Sequence, residues 1–172
     1  MPHLLPICSS PQFTGHFDVA NDWLYLEWEG DLTLSVVKQA CVQLAHCLLA
    51  RPYARILNSN VQVTGVDLEV GAWLACHLLP HLRTAGIEQL AWICAPTLPG
   101  LNMVQTVLSW LPKLQVTIFT DLEDGVHWLQ RYQPAVGAAP AARSSATQAK
   151  LAQIAAELEH LARERQPALP VY

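Results

Sequence analysis

The chain has 172 residues, of which 52% are hydrophobic and only 14% charged, and it carries a formal net charge of −4 at pH 7. That length holds one domain plus an appendage, and a core of about 130 residues buries roughly two-thirds of its unfolded surface without help from disulfides or metal. The negative balance excludes nucleic acid and anionic membrane as expected partners, since either requires a basic face, while the apolar surplus points to surface hidden in an oligomer interface.

Residues 1–12 form a proline-spaced lead-in with little pattern. Residues 13–19 alternate loosely, Asn21-Asp22 is a turn dipeptide, and 23–28 form an aromatic-rich run ending at Gly30. This predicts an opening antiparallel β-hairpin. A period of two places Trp23, Tyr25 and Glu27 on one face and Leu24, Leu26 and Trp28 on the other. The second set is wholly apolar and is the expected core face. Asp31 or Thr33 can cap a helix running to about residue 50. Its Val37, Cys41, Leu44 and Leu48 share one face, and Arg51-Pro52 closes it.

The middle of the chain, 54–95, reads as one βαβ unit, which requires a parallel sheet and a helix lying across it. A strand at 54–57 leads through a polar link to an amphipathic run at 66–85, which packs Leu68, Ala72, Ala75 and Leu79 along one stripe. Pro80 kinks its last turns and Gly86 ends it. Residues 87–94 are nearly all apolar, the composition of a strand buried on both faces. A helix over 98–111, a strand over 114–119 and a short helix capped by Asp121 complete the domain; Glu123 and Asp124 in its first turn and Arg131 near its end suit the helix dipole. The expected fold is α/β, with a single mixed, mostly parallel sheet opened by the hairpin, in the order ββαβαβαβα, and helices packed on it.

Residues 133–146 are rich in alanine, proline and serine and read as a linker. The run 147–165 is strongly helical, with Leu151, Ile154, Leu158 and Leu161 at 3-4-3 spacing and Glu157, Glu159, Arg163 and Glu164 around that seam. A lone helix of this length is marginal in water, so the seam must dock, either on its own domain or on a second subunit. The division is therefore a lead-in 1–12, a domain 13–132, a linker 133–146, and a C-terminal amphipathic helix and tail 147–172.

Three runs carry a family resemblance: 22–34, which begins Asp22-Trp23-Leu24-Tyr25; Leu57-Asn58-Ser59-Asn60 followed by Val63-Thr64-Gly65; and Leu79-Pro80-His81-Leu82 leading through Ala85-Gly86 into Ala91-Trp92. With the element order, they resemble small uncharacterised bacterial proteins of the STAS-like superfamily. That superfamily includes the anti-sigma-factor antagonists and is often grouped with the CRAL–TRIO lipid-transfer domains. The resemblance spans 13–132 and implies a regulatory or ligand-sensing domain, not an enzyme. In the antagonists, an Asp-Ser-Ser-Gly segment opening the helix after a central strand is phosphorylated by a partner kinase. The nearest match is Val63-Thr64-Gly65, which lacks the Asp and Ser, so Thr64 is the candidate phosphosite. A phosphate there would sit at a helix N-terminus.

Asn58, Ser59, Asn60, Thr64 and Asp67 cluster where the central strand is expected to end, the position where open α/β sheets bind ligands. They are the candidate ligand- or partner-binding residues, and the same side chains also suit bonding of a turn's own backbone. His77 and His81 are four apart on one helix, with Asp67, Glu69 and Cys76 near in sequence. No H-E-x-x-H is present, because Leu78 and Leu79 fill the intervening places, so no metal is assigned and the histidine pair stands as the alternative. Gly65 and Gly71 match no phosphate-loop spacing, and no G-x-S-x-G elbow occurs. No cofactor is expected.

The five cysteines include no C-x-x-C pair, and Cys41 and Cys94 lie in apolar runs where a thiol packs inertly. Residues 1–10 lack a basic n-region and carry Pro2 and Pro6, so reduced thiols in a cytoplasmic protein are expected. The stretch 89–112 contains no Asp, Glu, Lys or Arg, yet Pro96, Pro99 and Gly100 break it, so a strand and a helix are expected in place of a membrane span. The six tryptophans are read as core or interface filling. Three functions remain: a homodimeric interaction domain whose tail helix is buried between subunits, a carrier of a small apolar or lipid-like ligand, and a hydrolase or metal enzyme using His77, His81 and Asp67.

Overall fold

The computed structural model describes residues 3–95, 105, 114–132 and 142–164. Its six strands are β1 (Leu4–Ser10), β2 (Phe13–Asp18), β3 (Trp23–Leu32), β4 (Arg55–Val66), β5 (Gln89–Cys94) and β6 (Gln115–Phe119). They form one six-stranded sheet in sequential order. The first two pairings are antiparallel and the last three parallel, the mixed and mostly parallel sheet expected. The described helices are α1 (Leu34–Ala50), α2 (Leu68–His77), α3 (Leu79–Leu82), α4 (Leu122–Gln130) and α5 (Ser145–Arg163). The helix expected at 98–111 lies outside the described residues, as do 133–141 of the linker.

The hairpin closes where its turn chemistry is strongest. Asp18 Oδ1 accepts from the Ala20 and Asn21 backbone N–H groups at 3.0 and 3.1 Å, and Asn21 Nδ2 donates to Asp18 Oδ2 at 2.7 Å. Asp22 takes the left-handed conformation, φ 54°, that short polar side chains tolerate. On β3, Leu24, Leu26 and Trp28 face the larger core as expected, while Trp23 is buried with Leu57 and Leu129 under α4. The sheet is thus covered on both faces: α1, α2, α3 and α5 on one, α4 on the other.

Three differences from the sequence reading have physical causes. The lead-in contains β1, whose alternation is interrupted by Pro6 and by a register shift between Pro6 and Cys8. Proline is tolerated there because the strand lies at the sheet edge. Strand β4 continues through the polar link to Val66, pairing with the far end of β3 across two register shifts. The run 66–85 is two helices, parted at Leu78 ahead of Pro80, and its buried face is Val70, Trp73, Leu78, Leu79 and Leu82. Leu68 and Ala72, expected in the stripe, are exposed. Gly86 does end this segment, at φ 96°.

α1 buries Val37, Cys41, Leu44 and Leu48 as read from their spacing. Thr33 caps it, accepting from Val36 N at 3.3 Å. Asp121 caps α4 by accepting from the Glu123 and Asp124 N–H groups. α5 packs on α1 of its own chain. Leu151, Ile154 and Leu158 are buried there and Leu161 partly so, each worth about 2 kcal/mol on full burial. Around this seam, Arg143 donates to the Leu49, Arg51 and Ala85 carbonyl oxygens, and His46 Nε2 lies 2.7 Å from Glu159 Oε1. Leu158, 1% exposed, is the most sensitive point of the contact. Leu158→Ala is expected to cost about 2–5 kcal/mol, read from urea unfolding. A midpoint independent of protein concentration will show that the seam is filled within one chain.

Candidate functional site

Because β4 runs on to Val66, its polar residues alternate between the faces of the sheet. Asn58 and Asn60 lie on the α1 side. Trp28 Nε1 donates to Asn58 Oδ1 at 2.9 Å, and Asn58 Nδ2 donates to Asn60 Oδ1 at 2.8 Å. Both asparagines are buried, so this chain of bonds satisfies side chains that would otherwise carry a desolvation cost. Ser59 lies on the α4 side, in hydrogen-bond contact with Tyr25, whose phenol is pushed up by burial and then by the Glu27 carboxylate. The five candidate residues therefore do not form one site.

The remaining two stand at the carboxyl ends of β3 and β4. Thr64 Oγ1 donates to Asp31 Oδ1 at 2.9 Å on the surface. Asp67 precedes α2 but makes no side-chain cap to it; its Oδ2 instead accepts from Leu34 N at 3.1 Å, in the first turn of α1. Beyond it Leu68 is 88% exposed, and Val61 on the strand before it is 49% exposed. Glu29 and Asp31 lie beside Gln62 and Gly65 in the β3–β4 register. The rim is apolar at two points and acidic around them. Its exposed hydrophobic side chains were not singled out in the sequence, because Leu68 fits a buried stripe equally well there.

Among the described residues, no group of three or more His, Cys, Asp or Glu side chains could hold a metal ion. His77 packs against Trp73, ring centroids 5.2 Å apart, while His81 stands in the next helix. Burial pushes the His81 imidazole down, Glu157 opposes this, and Lys150 and His77 add to it. Two buried indole N–H groups, of Trp73 and Trp92, find no hydrogen-bond partner among the described residues; Trp92 pairs with Asn58 in the β4–β5 register. An open groove of about 410 Å³ between β1, α1 and α5 is lined by Ser10, Gln39, Val42, Gln43, Glu159, Ala162 and Arg163, a mixed polar and apolar surface.

Sequence reasoning also passed over one pair. Cys8 of β1 and Cys47 of α1 meet in the fold, and hydrogen bonding between them holds the Cys47 thiol below its ordinary value and the Cys8 thiol above it. Cys94, by contrast, is pushed up to about 11 by burial alone.

No protein-family model and no curated protein matches the chain. In structure it is similar to an uncharacterised protein of the DUF3478 family from Shewanella loihica PV-4, described as having a SpoIIAA-like fold. The two are 20% identical with a TM-score of 0.45, and the alignment covers 75% of this chain and 95% of that one. No helix among the described residues is long and apolar enough to cross a membrane.

Two measurements separate structural from surface roles. Asn58→Ala strands both the Trp28 indole and the Asn60 amide and is expected to cost about 2–3 kcal/mol in urea unfolding, against about 0.5 kcal/mol or less for Thr64→Ala on the rim. For His81, the folded imidazole titrates below the ordinary 6.5, so as pH falls through 6.5 the unfolded chain takes up the proton first and stability drops. His81→Gln is expected to make that drop shallower than in the wild type, measured as the unfolding midpoint between pH 7 and 5.

Proposed function

We propose that the chain is a non-enzymatic, STAS-like regulatory domain that docks a protein partner on the rim at the carboxyl ends of β3 and β4. The observation that carries this reading is Leu68, 88% exposed at the start of α2, with Val61 49% exposed on the strand leading to it. Large apolar side chains held out in water on a firm scaffold are what a partner's pocket anchors on. Glu29, Asp31, Asp67 and Glu69 lie on the same rim, and neither 19–37 nor 56–82 contains a Lys or Arg. A partner with a cationic, apolar contact surface fits this character, because complementary charge steers encounter and discriminates against wrong partners.

Thr64 gives the rim a means of regulation. A phosphoryl group there would set a dianion against Asp31 in place of the present hydrogen bond, and so alter docking by repulsion. Homodimerisation, the other element of the reading, needs a surface other than the Leu151–Ile154–Leu158–Leu161 seam, which α5 turns onto α1. A second reading, binding of a small ligand, is favoured by the unpartnered Trp73 and Trp92 indole N–H groups.

A photo-crosslinking residue placed at Leu68 is expected to capture one defined protein with a basic contact surface, in a salt-dependent manner. The same residue at Ala156, on the exposed side of α5, should not. Glu29→Lys with Asp31→Lys should remove the capture and leave thermal unfolding within a few degrees of wild type. Adducts between two copies of the chain, with light scattering at twice the chain mass, would make the rim a homodimer contact instead. Equal labelling from both positions overturns the reading.

A further inference from the structure

Cys8 and Cys47 are remote in sequence and brought together by the packing of β1 against α1. Cys8 follows the bulge in β1 and lies opposite Gly15. Glycine is needed there: a Cβ at Gly15 would stand 2.5 Å from the Cys8 sulfur and 3.4 Å from Leu26 on the core face. The Cys8 side chain can therefore lie flat over β2 and point under α1. From the other side, the Cys47 thiol donates to the Ile7 carbonyl oxygen at 3.8 Å, one residue from Cys8, and the two thiols are near enough to shift each other's ionisation. Both are half-buried and within reach of a small molecule, whereas Cys41 and Cys94 are buried and Cys76 is exposed.

We propose that Cys8 and Cys47 are a reversible disulfide site, oxidised by a small disulfide of the glutathione class, that staples the edge strand β1 to α1. Cys47 is the attacking sulfur. Cys8 hydrogen-bonds to it and favours its thiolate, with burial opposing, and the same bond holds the Cys8 proton in place. The Cys47 thiolate attacks one sulfur of the small disulfide, breaks its S–S bond and expels one thiolate, leaving a mixed disulfide. Cys8 then loses its proton to solvent and attacks the Cys47 sulfur, expelling the second thiolate. Two protein thiols are oxidised to one protein disulfide, and one small disulfide is reduced to two small thiols.

The staple acts on β1, which among the described residues pairs only with β2 and is interrupted at Pro6. Closing a loop of this length limits the unfolded chain, and oxidation is expected to raise Tm on the order of 10 °C. Tyr53 is a titratable neighbour of the pair, and the Arg51–Asp22 ion pair lies beyond it.

The test incubates the full chain with oxidised glutathione, then alkylates free thiols and maps peptides by mass spectrometry. Expected, besides Cys76, is loss of two further alkylatable thiols, at Cys8 and Cys47, with a peptide linking them that dithiothreitol releases. Cys76 serves as the exposed control and takes up glutathione alone. Cys8→Ser should trap glutathione on Cys47, and Cys47→Ser should leave Cys8 unreacted. The proposal is overturned if Cys8 and Cys47 both remain alkylatable once Cys76 has reacted, or if the wild type and Cys8→Ser carry the same adduct on Cys47 with no linked peptide.

Discussion

From Ile56 to Asn60, strand β4 is paired along both edges and buried on both faces, and the other elements take their positions from it. A strand in that place normally carries only apolar side chains, yet its middle reads Asn58-Ser59-Asn60. Those polar groups hold their position because each finds a partner within the fold. The Trp28–Asn58–Asn60 relay fixes β3 against β4 more sharply than the apolar pattern alone: a slip of one residue would turn Asn58 to the α4 side and bring Leu57 beneath α1. Both faces being apolar around it, hydrophobic burial would resist such a slip only weakly. The loss of the Trp28–Asn58 bond, with two buried polar groups stranded, is what makes it costly.

The same pairing explains why the rim is firm although it lies at the sheet's end. The two register shifts between β3 and β4 carry the ladder out to Leu32 and Val66. There Asp67, at the start of α2, is tied to both β3 and α1: its backbone N–H donates to the Leu32 carbonyl oxygen at 3.1 Å, and its carboxylate accepts from the first turn of α1. An anion at that helix start is favoured by the unpaired N–H groups and the helix dipole. Leu68 follows immediately, so its exposure does not come from a loose loop. The backbone that presents it is tied at the preceding residue.

How much of this was legible in the sequence depends on whether the signal was local. Hairpin, α1 face, Asp121 cap and the doubly buried β5 follow from alternation, 3.6-residue spacing and cap chemistry within a few residues. β1 escaped because Pro6 and the bulge spoil its period. The stripe of α2 was misread because Leu68-Ala72-Ala75-Leu79 and Val70-Trp73 are both apolar sets at helical spacing, and only packing beside α1 selects between them. The group Asn58 to Asp67 looked like a loop site because its residues are turn formers; continued as a strand, it is divided between two faces and a rim. The meeting of Cys8 with Cys47 has no local signature at all, since it is made by the stacking of the first strand on the first helix.

The β1 edge of the sheet is a weak competitor to the rim proposed as the docking surface. β1 offers an unpaired ladder on its outer side, the arrangement that invites edge-to-edge addition. Pro6 has no N–H to offer a ladder, and the register shift between Pro6 and Cys8 breaks the strand's regular spacing, both of which disfavour extension by a second sheet. α5 then covers the face of α1 that would otherwise offer a broad apolar area, and its own seam is used up in doing so. With one edge blunted and the seam filled within the chain, the apolar side chains that stay in water at the carboxyl ends of β3 and β4 are Val61 and Leu68, held among carboxylates. That arrangement discourages two copies from meeting rim to rim through like-charge repulsion, while leaving two anchors open to a surface of opposite charge.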